Sequence, residues 1–153
     1  VAGLDSALAA LADTRGLVLD LRDTPGGGNT DVAEPMLGRF VREAQGYQRV
    51  VPRHGRAYVR RVAPRGPFTY AAPLVVLVGR WTGSMGEGMA IGLDALRLDG
   101  RRRATVVGTP MAGLAGSVET VRFPCSGFGL ALPTERLLHV DGTPRERFVP
   151  RVR

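Results

Sequence analysis

Two short apolar runs, each closed by a glycine-containing breaker and followed by a helix-like stretch, constrain this fold more than any other feature. The first is Gly16-Leu17-Val18-Leu19-Asp20-Leu21-Arg22, ending in Asp23-Thr24-Pro25-Gly26-Gly27-Gly28-Asn29. The second is Leu74-Val75-Val76-Leu77-Val78, ending in Gly79-Arg80-Trp81-Thr82-Gly83. Runs of this length bounded by turn signals read as buried strands. Helices are expected over Thr30–Ala44 and over Ser84–Leu98. Thr30 would cap the first, and Pro35 falls near its opening turn, where proline is tolerated. An amphipathic helix precedes both, with Leu4, Leu8 and Leu11 on one face. A further strand is expected at Ala104–Val107. Strand, helix, strand, helix, strand in this order predicts an α/β fold with parallel crossovers. Tyr47–Val51 and Arg56–Val62 read as strands around the turn Pro52–Gly55. Ser117–Phe123, Phe128–Leu132 and Arg136–Val140 add antiparallel pieces in the C-terminal third. The 153 residues suggest one domain.

Composition removes several kinds of chemistry. All 21 basic residues are Arg, so no lysine can serve as base, Schiff-base former or phosphate anchor. The net charge of +7 invites a nucleic-acid reading. The arginines are scattered, however, and nine aromatics (five Phe, three Tyr, one Trp) offer no stacking platform among them. A solvated surface is the simpler reading, and no nucleic-acid partner is expected. Cys125 is the single cysteine, so there is no internal disulfide, and no Cys/His cluster suggests a metal. No apolar run approaches the roughly 18 residues of a membrane span. The sequence calls for no cofactor.

The loops after the two strands lie where sites form on parallel sheets. Gly26-Gly27-Gly28 presents backbone N–H groups unobstructed by side chains, which suits an anion or oxyanion. It equally suits a sharp turn that needs positive φ. No P-loop motif accompanies it. Ser84 follows a strand and a tight turn and opens a helix, a geometry that exposes a nucleophile. Ser84 and Glu87 also match a capping box, in which both side chains satisfy free N–H groups. A cap commits the hydroxyl to backbone; a nucleophile turns it toward a base.

Four ordered segments resemble one family, the C-terminal processing or tail-specific serine proteases, including their tricorn-like branch. Leu19-Asp20-Leu21-Arg22-Asp23-Thr24-Pro25-Gly26-Gly27 resembles the family's D-L-R-x-N-P-G-G segment, with Thr24 in place of Asn. Thr82-Gly83-Ser84-Met85-Gly86-Glu87 resembles its T-x-S-x-x-E nucleophile turn. Ala104 to Gly113 resembles its V-G-x-x-T-x-G stretch, and Asp141 to Glu146 its closing D-G-x-x-x-E. The resemblance implies a crotonase/Clp-protease-like core of β-β-α units. It implies Ser84 as nucleophile for peptide hydrolysis, with N–H groups of Gly26 or Gly27 and of Met85 as oxyanion hole. Asp20 and Arg22 would buttress the loop, and Glu87 would be structural. The implied substrate is a peptide or a protein C-terminus, and a homo-oligomer is compatible with it. The family is mainly extracytoplasmic in bacteria, with cytoplasmic tricorn-like members.

The departures select a branch. Where one branch keeps a catalytic lysine this chain has Leu114, and Val118 stands where its polar partner belongs. The tricorn-like branch instead pairs Ser with a His upstream of the D-L-R segment and an acidic residue near the C-terminus, roughly at Glu146. The implied base then lies outside these residues, which would form the C-terminal part of a protease core. Glu146, flanked by Arg145 and Arg147, also reads as a surface ion pair. His54 reads as a solvated loop residue and His139 as a strand-end residue without a family role. Cys125 reads as a turn residue, not a nucleophile. The alternative is a peptide- or apolar-ligand-binding domain on the same fold without catalysis. An acyl-CoA enzyme of crotonase type is a third option, with no clear place for Ser84.

Overall fold

The computed structural model describes residues 1–152. Helix α1 (Ala2–Ala10) leads into β1 (Leu17–Asp20), then α2 (Thr30–Leu37). The hairpin β2 (Gln45–Pro52) and β3 (Tyr58–Val62) follows, then β4 (Leu74–Val78) and α3 (Met85–Ala95). A two-residue hairpin, β5 (Arg97–Leu98) and β6 (Arg101–Arg102), precedes β7 (Ala104–Gly108). A long hairpin, β8 (Gly116–Arg122) and β9 (Gly129–Leu138), completes the strands.

The expected parallel sheet forms with order β1-β4-β7, aligning Leu19 with Val76 and Val76 with Val106. Its buried face carries Leu74, Val76 and Val78 from β4 and Ala104 and Val106 from β7, at the period of two that a pleated strand imposes. The other strands form an antiparallel sheet of order β3-β2-β9-β8. Helix α3 packs against β7 of the first sheet and β2 of the second. Every residue from Gly86 to Ala95 is buried, as befits a helix enclosed on all sides. Small residues permit this. A side chain at Gly92 would begin 3.0 Å from the Tyr47 ring, so β2 closes on the helix only because position 92 is bare.

Several boundaries move from the sequence expectation. The helix expected over Thr30–Ala44 ends at Leu37 and passes into a 3-10 turn at Gly38–Phe40. Its cap is Asn29, not Thr30: Asn29 is extended, and its Oδ1 accepts the Val32 N–H at 3.1 Å. Pro35 therefore sits in the second turn, where it removes the bond back to the Asp31 carbonyl, and the helix ends two residues later at Leu37. The helix expected to reach Leu98 ends at Ala95. Gln45 takes over the backbone of Arg97, accepting its N–H and donating to its carbonyl, both at 2.8 Å. Asp99 (φ 51°) and Gly100 (φ 77°) then turn the chain back. The two strands expected at Phe128–Leu132 and Arg136–Val140 are one, β9, running through Pro133 at an irregularity in its register with β8.

The far end of α3 is tied to the C-terminal segment by charge. Asp94 is buried; Arg102 Nη1 lies 2.8 Å away, Arg151 Nε 3.0 Å and His139 Nε2 3.4 Å. Burial alone raises the Asp94 pKa. Hydrogen bonds from His139 and Arg151, with the charge of Arg102, outweigh it and hold the carboxyl at about 2. His139 is also buried, with Nδ1 3.0 Å from Asp141 Oδ1. Asp94 raises its pKa above the ordinary 6.5 against opposing desolvation, with Asp141 adding to the effect. Folding thus shifts the imidazole toward its protonated form relative to the unfolded chain. Its stabilisation is fully present below about pH 6.5 and is lost as pH rises through the folded-state pKa. Urea midpoints should therefore fall between about pH 6 and about pH 9, and His139→Gln should flatten that slope. An unchanged slope in the variant would show that the pair carries no linkage.

Candidate active site

The turn after β4 is fixed before it reaches Ser84. Thr82 is fully buried. Its hydroxyl donates to the Leu21 carbonyl at 2.7 Å and accepts the Gly79 N–H at 3.0 Å. One threonine thus closes its own turn and joins it to the end of β1. Ala112 N–H donates to the Thr82 carbonyl at 3.0 Å, bringing the segment after β7 to the same point. Ser84 follows at φ 49° and ψ −109°, a conformation that costs a non-glycine residue about 1–3 kcal/mol and persists only where its surroundings impose it.

Those surroundings centre on Glu87, fully buried in the first turn of α3. Its Oε2 accepts the Ser84 N–H at 2.8 Å, and its Oε1 accepts the N–H groups of Gly113 and Leu114 at 2.9 and 3.1 Å. Arg145 Nε lies 3.8 Å from Oε2. Both contacts of the expected capping box exist, but only the Glu87 arm is a hydrogen bond of full geometry. Ser84 therefore caps mainly through its backbone, and its hydroxyl, half-buried at a cleft, keeps only a loose contact with the Glu87 N–H.

The glycine loop meets this turn backbone against backbone. Gly83 N–H donates to the Thr24 carbonyl at 2.9 Å. A side chain at Gly86 would begin 2.9 Å from the same carbonyl, and one at Gly83 would begin 2.8 Å from that of Pro25. Gly26 has φ 112° and Gly27 φ 85°, so the loop is the positive-φ turn the sequence allows. A Cβ on Gly26 would collide with Ser84 Cβ, whereas one on Gly27 would meet nothing within 4 Å. Among the described residues, the N–H groups of Gly26, Gly27 and Met85 donate to no protein acceptor. Free donors thus flank the Ser84 hydroxyl.

Gly27, Met85 and Ser84 line a cleft of about 460 Å³ together with Leu114, Val118 and Arg145, and Gly26 lies behind Ser84 and not on the cleft wall. Leu114 and Val118, the two positions that break with the lysine branch, both line it. Glu146 does not. One of its carboxylate oxygens is 3.8 Å from Arg136, and the other is buried with no partner among the described residues. The residue beside it enters instead. Arg145 is buried and donates to the carbonyls of Leu114 (2.7 Å), Ser84 (3.2 Å) and Gly116 (3.3 Å), while desolvation lowers its pKa. Nothing in the sequence separates it from the other arginines. Asp20 and Arg22 form an exposed two-point pair, with Arg22 Nη2 2.6 Å from Asp20 Oδ2. The Arg22 hydrogen bonds hold the Asp20 carboxyl at about 2. The pair sits against the Gly79 turn, away from the cleft. His54 is exposed, His139 belongs to the Asp94 cluster, and Cys125 is exposed at the tip between β8 and β9. Among the described residues no three of His, Cys, Asp and Glu group as a metal site, and no helix is long and apolar enough to cross a membrane.

The layered α/β core, with a strand-to-helix serine turn packed on a glycine loop, defines a class, the Clp-protease/crotonase-like fold. Within it, the chain belongs to peptidase family S41, whose model matches residues 2–149. The chain is similar to the photosystem II D1 C-terminal processing protease, at 25% identity and TM-score 0.77, over 99% of this chain and 38% of that one. A structure from Parabacteroides merdae described as a peptidase shares 19% identity at TM-score 0.82, over 99% and 48%. Mature CPAF shares 14% at TM-score 0.81, over 99% and 41%. The chain thus spans less than half the length of these structures.

Two pairs of variants test the geometry. Gly26→Ala drives a methyl into Ser84, and a displacement of this kind should lower turnover by about a hundredfold with the fold retained. Gly27→Ala should lose about 1–2 kcal/mol of stability from backbone strain alone. Equal effects of the two on turnover would refute the packing of Gly26 on Ser84. Glu87→Gln should lose about 3 kcal/mol in urea unfolding, because a carboxylate that serves three N–H groups and faces a buried guanidinium is removed. Arg145→Ala, which empties the other side of that pair, should be comparably destabilising.

Proposed function

We propose that these 153 residues are the C-terminal part of the catalytic core of a serine peptidase of the C-terminal processing kind, acting on peptides or protein C-termini. The observation that carries this reading is the contact of Gly26 with Ser84: the loop with free N–H groups lies directly against the Ser84 hydroxyl. Ser84 Oγ attacks the scissile carbonyl. The N–H groups of Gly26 or Gly27 and of Met85 receive the developing oxyanion, an effect typically of about 3–4 kcal/mol per donor. The N-terminal end of α3, which begins at Met85, adds its positive dipole. The serine proton passes to a base and from there to the leaving amine, and water then hydrolyses the acyl-enzyme.

The base is a histidine from outside these residues, as in the tricorn-like branch. Two observations support this. Leu114 occupies the cleft where the other branch keeps lysine, and no histidine of this chain lines that cleft among the described residues. Glu146 fits the acidic partner of that histidine. Its backbone carbonyl lies near Gly113, the residue before the cleft residue Leu114, and its buried oxygen has no partner among the described residues and can accept an imidazole N–H.

Ser84→Ala in the full-length protein should abolish peptide turnover, and unchanged turnover would sink the assignment. The 153-residue chain alone should react slowly with a fluorophosphonate probe, because its nucleophile lacks a base. Rapid labelling of Ser84 in that chain would place the base within it.

A further inference from the structure

The wall of the cleft opposite the glycine loop carries a polar group that the acyl-transfer chemistry leaves idle. Gln48, on β2, is 3% exposed and lines the same cleft as Ser84. Its Nε2 is buried with no hydrogen-bond partner, and its Oε1 makes no side-chain hydrogen bond either, among the described residues. A buried amide left unpaired costs about 1–3 kcal/mol, so a position that retains one is suited to a partner that arrives from outside. The amide lies beside the first turn of α3. A side chain at Gly88 would begin 3.6 Å from Gln48 Nε2, and Gly88 N–H donates to the Ser84 carbonyl at 3.0 Å. The idle amide and the nucleophile are therefore one helical turn apart.

The charged groups around it are already matched. Arg60 pairs with Glu135 at 3.0 Å, and Glu135 also accepts the Ser117 hydroxyl at 2.6 Å. Arg145 is spent on Glu87 and three carbonyls. The other walls are apolar, from Met85, Leu114 and Val118. Beyond the N–H groups of Gly27 and Met85 and the Ser84 hydroxyl, which acyl transfer uses, the cleft thus has largely apolar sides, no unmatched charge and one free side-chain donor–acceptor pair. A charged side chain would enter without a counter-ion, and a purely apolar one would bury the Gln48 amide without a partner. A primary amide satisfies both demands, because two amides exchange two hydrogen bonds and neither carries charge.

We propose that Gln48 is a specificity-determining residue of this cleft, and that the substrate side chain it receives next to the scissile bond is glutamine or asparagine. This rests on the reading of Ser84 as the nucleophile. The test offers the full-length protein a peptide library with Gln, Asn, Leu or Glu fixed at each position in turn, cleavage sites being read by mass spectrometry. Gln or Asn should be preferred over Leu and Glu by about tenfold in kcat/KM at one position flanking the cut, the scale of one or two net hydrogen bonds. Gln48→Leu should invert the Gln-to-Leu ratio at that position. Gly88→Ala guards against a folding failure: its methyl fits in ordinary contact beside the amide and improves helix propensity, so the protein should fold and the preference should shrink. A loss shared equally by all four peptides in either variant would mean Gln48 serves the main chain or the fold, and would overturn the proposal. Anisotropy of the labelled peptides on Ser84→Ala reads the pocket without the chemistry. Amide-selective binding with no cleavage by the wild type would overturn the peptidase reading and keep the pocket. Cleavage with no amide preference would overturn the pocket alone.

Discussion

The buried carboxylate of Glu87 is the interaction on which the site depends. An ionised carboxylate away from water is expensive unless hydrogen bonds and a cation surround it. Here three backbone N–H groups, from Ser84, Gly113 and Leu114, converge on its two oxygens, with the Arg145 guanidinium alongside. Those donors come from the serine turn and from the segment after β7, and the cation comes from the C-terminal region. One side chain therefore locks three parts of the chain that are distant in sequence. The unusual backbone of Ser84 follows from this lock, because the turn is held by Thr82 on one side and Glu87 on the other.

The same arrangement makes a cap at Ser84 compatible with the nucleophilic role proposed for its hydroxyl. The cap is carried mainly by the backbone N–H of Ser84 and the Glu87 carboxylate, and Oγ makes only a looser contact with the Glu87 N–H. Glu87 satisfies the Ser84 N–H, while the first helical N–H, from Met85, has no protein acceptor among the described residues. Gly26 completes the arrangement by having no side chain where one would strike Ser84. The absence of lysine gains meaning in this setting. Leu114 sits on the cleft wall with its N–H on Glu87, so the position is used structurally while its side chain contributes only apolar surface.

The parallel sheet was legible in the sequence because its strands are short apolar runs with obvious ends, but of the two expected to be buried only β4 is, since β1 has no buried residue and exposes Val18. Leu74–Val78 was readable to the residue. The serine turn and glycine loop were legible because positive φ and a strand-to-helix junction restrict which residues fit. Helix ends were less so. Asn29 and Thr30 are both good caps, and only the extended backbone of Asn29 decides between them. The end of α3 depends on Gln45, fifty-two residues away from Arg97, and no local pattern encodes it. Pro133 reads as a strand breaker, yet β9 continues through it where its register with β8 is irregular.

By itself, the sequence determined the alternation of strands and helices, the two loops that bear the site, the serine at the helix start and the lack of any lysine base. These follow from periodicity, turn chemistry and composition, all of which are local. The tertiary structure alone decided that Gly26 touches Ser84, that Arg145 and not Glu146 reaches the serine turn, and that Gln48 faces the cleft with an idle amide. Each of these joins residues far apart in the chain. Their proximity is set by how two sheets close on α3, which depends on packing volume at positions such as Gly92 and Tyr47 and not on any pattern a single stretch of chain can carry.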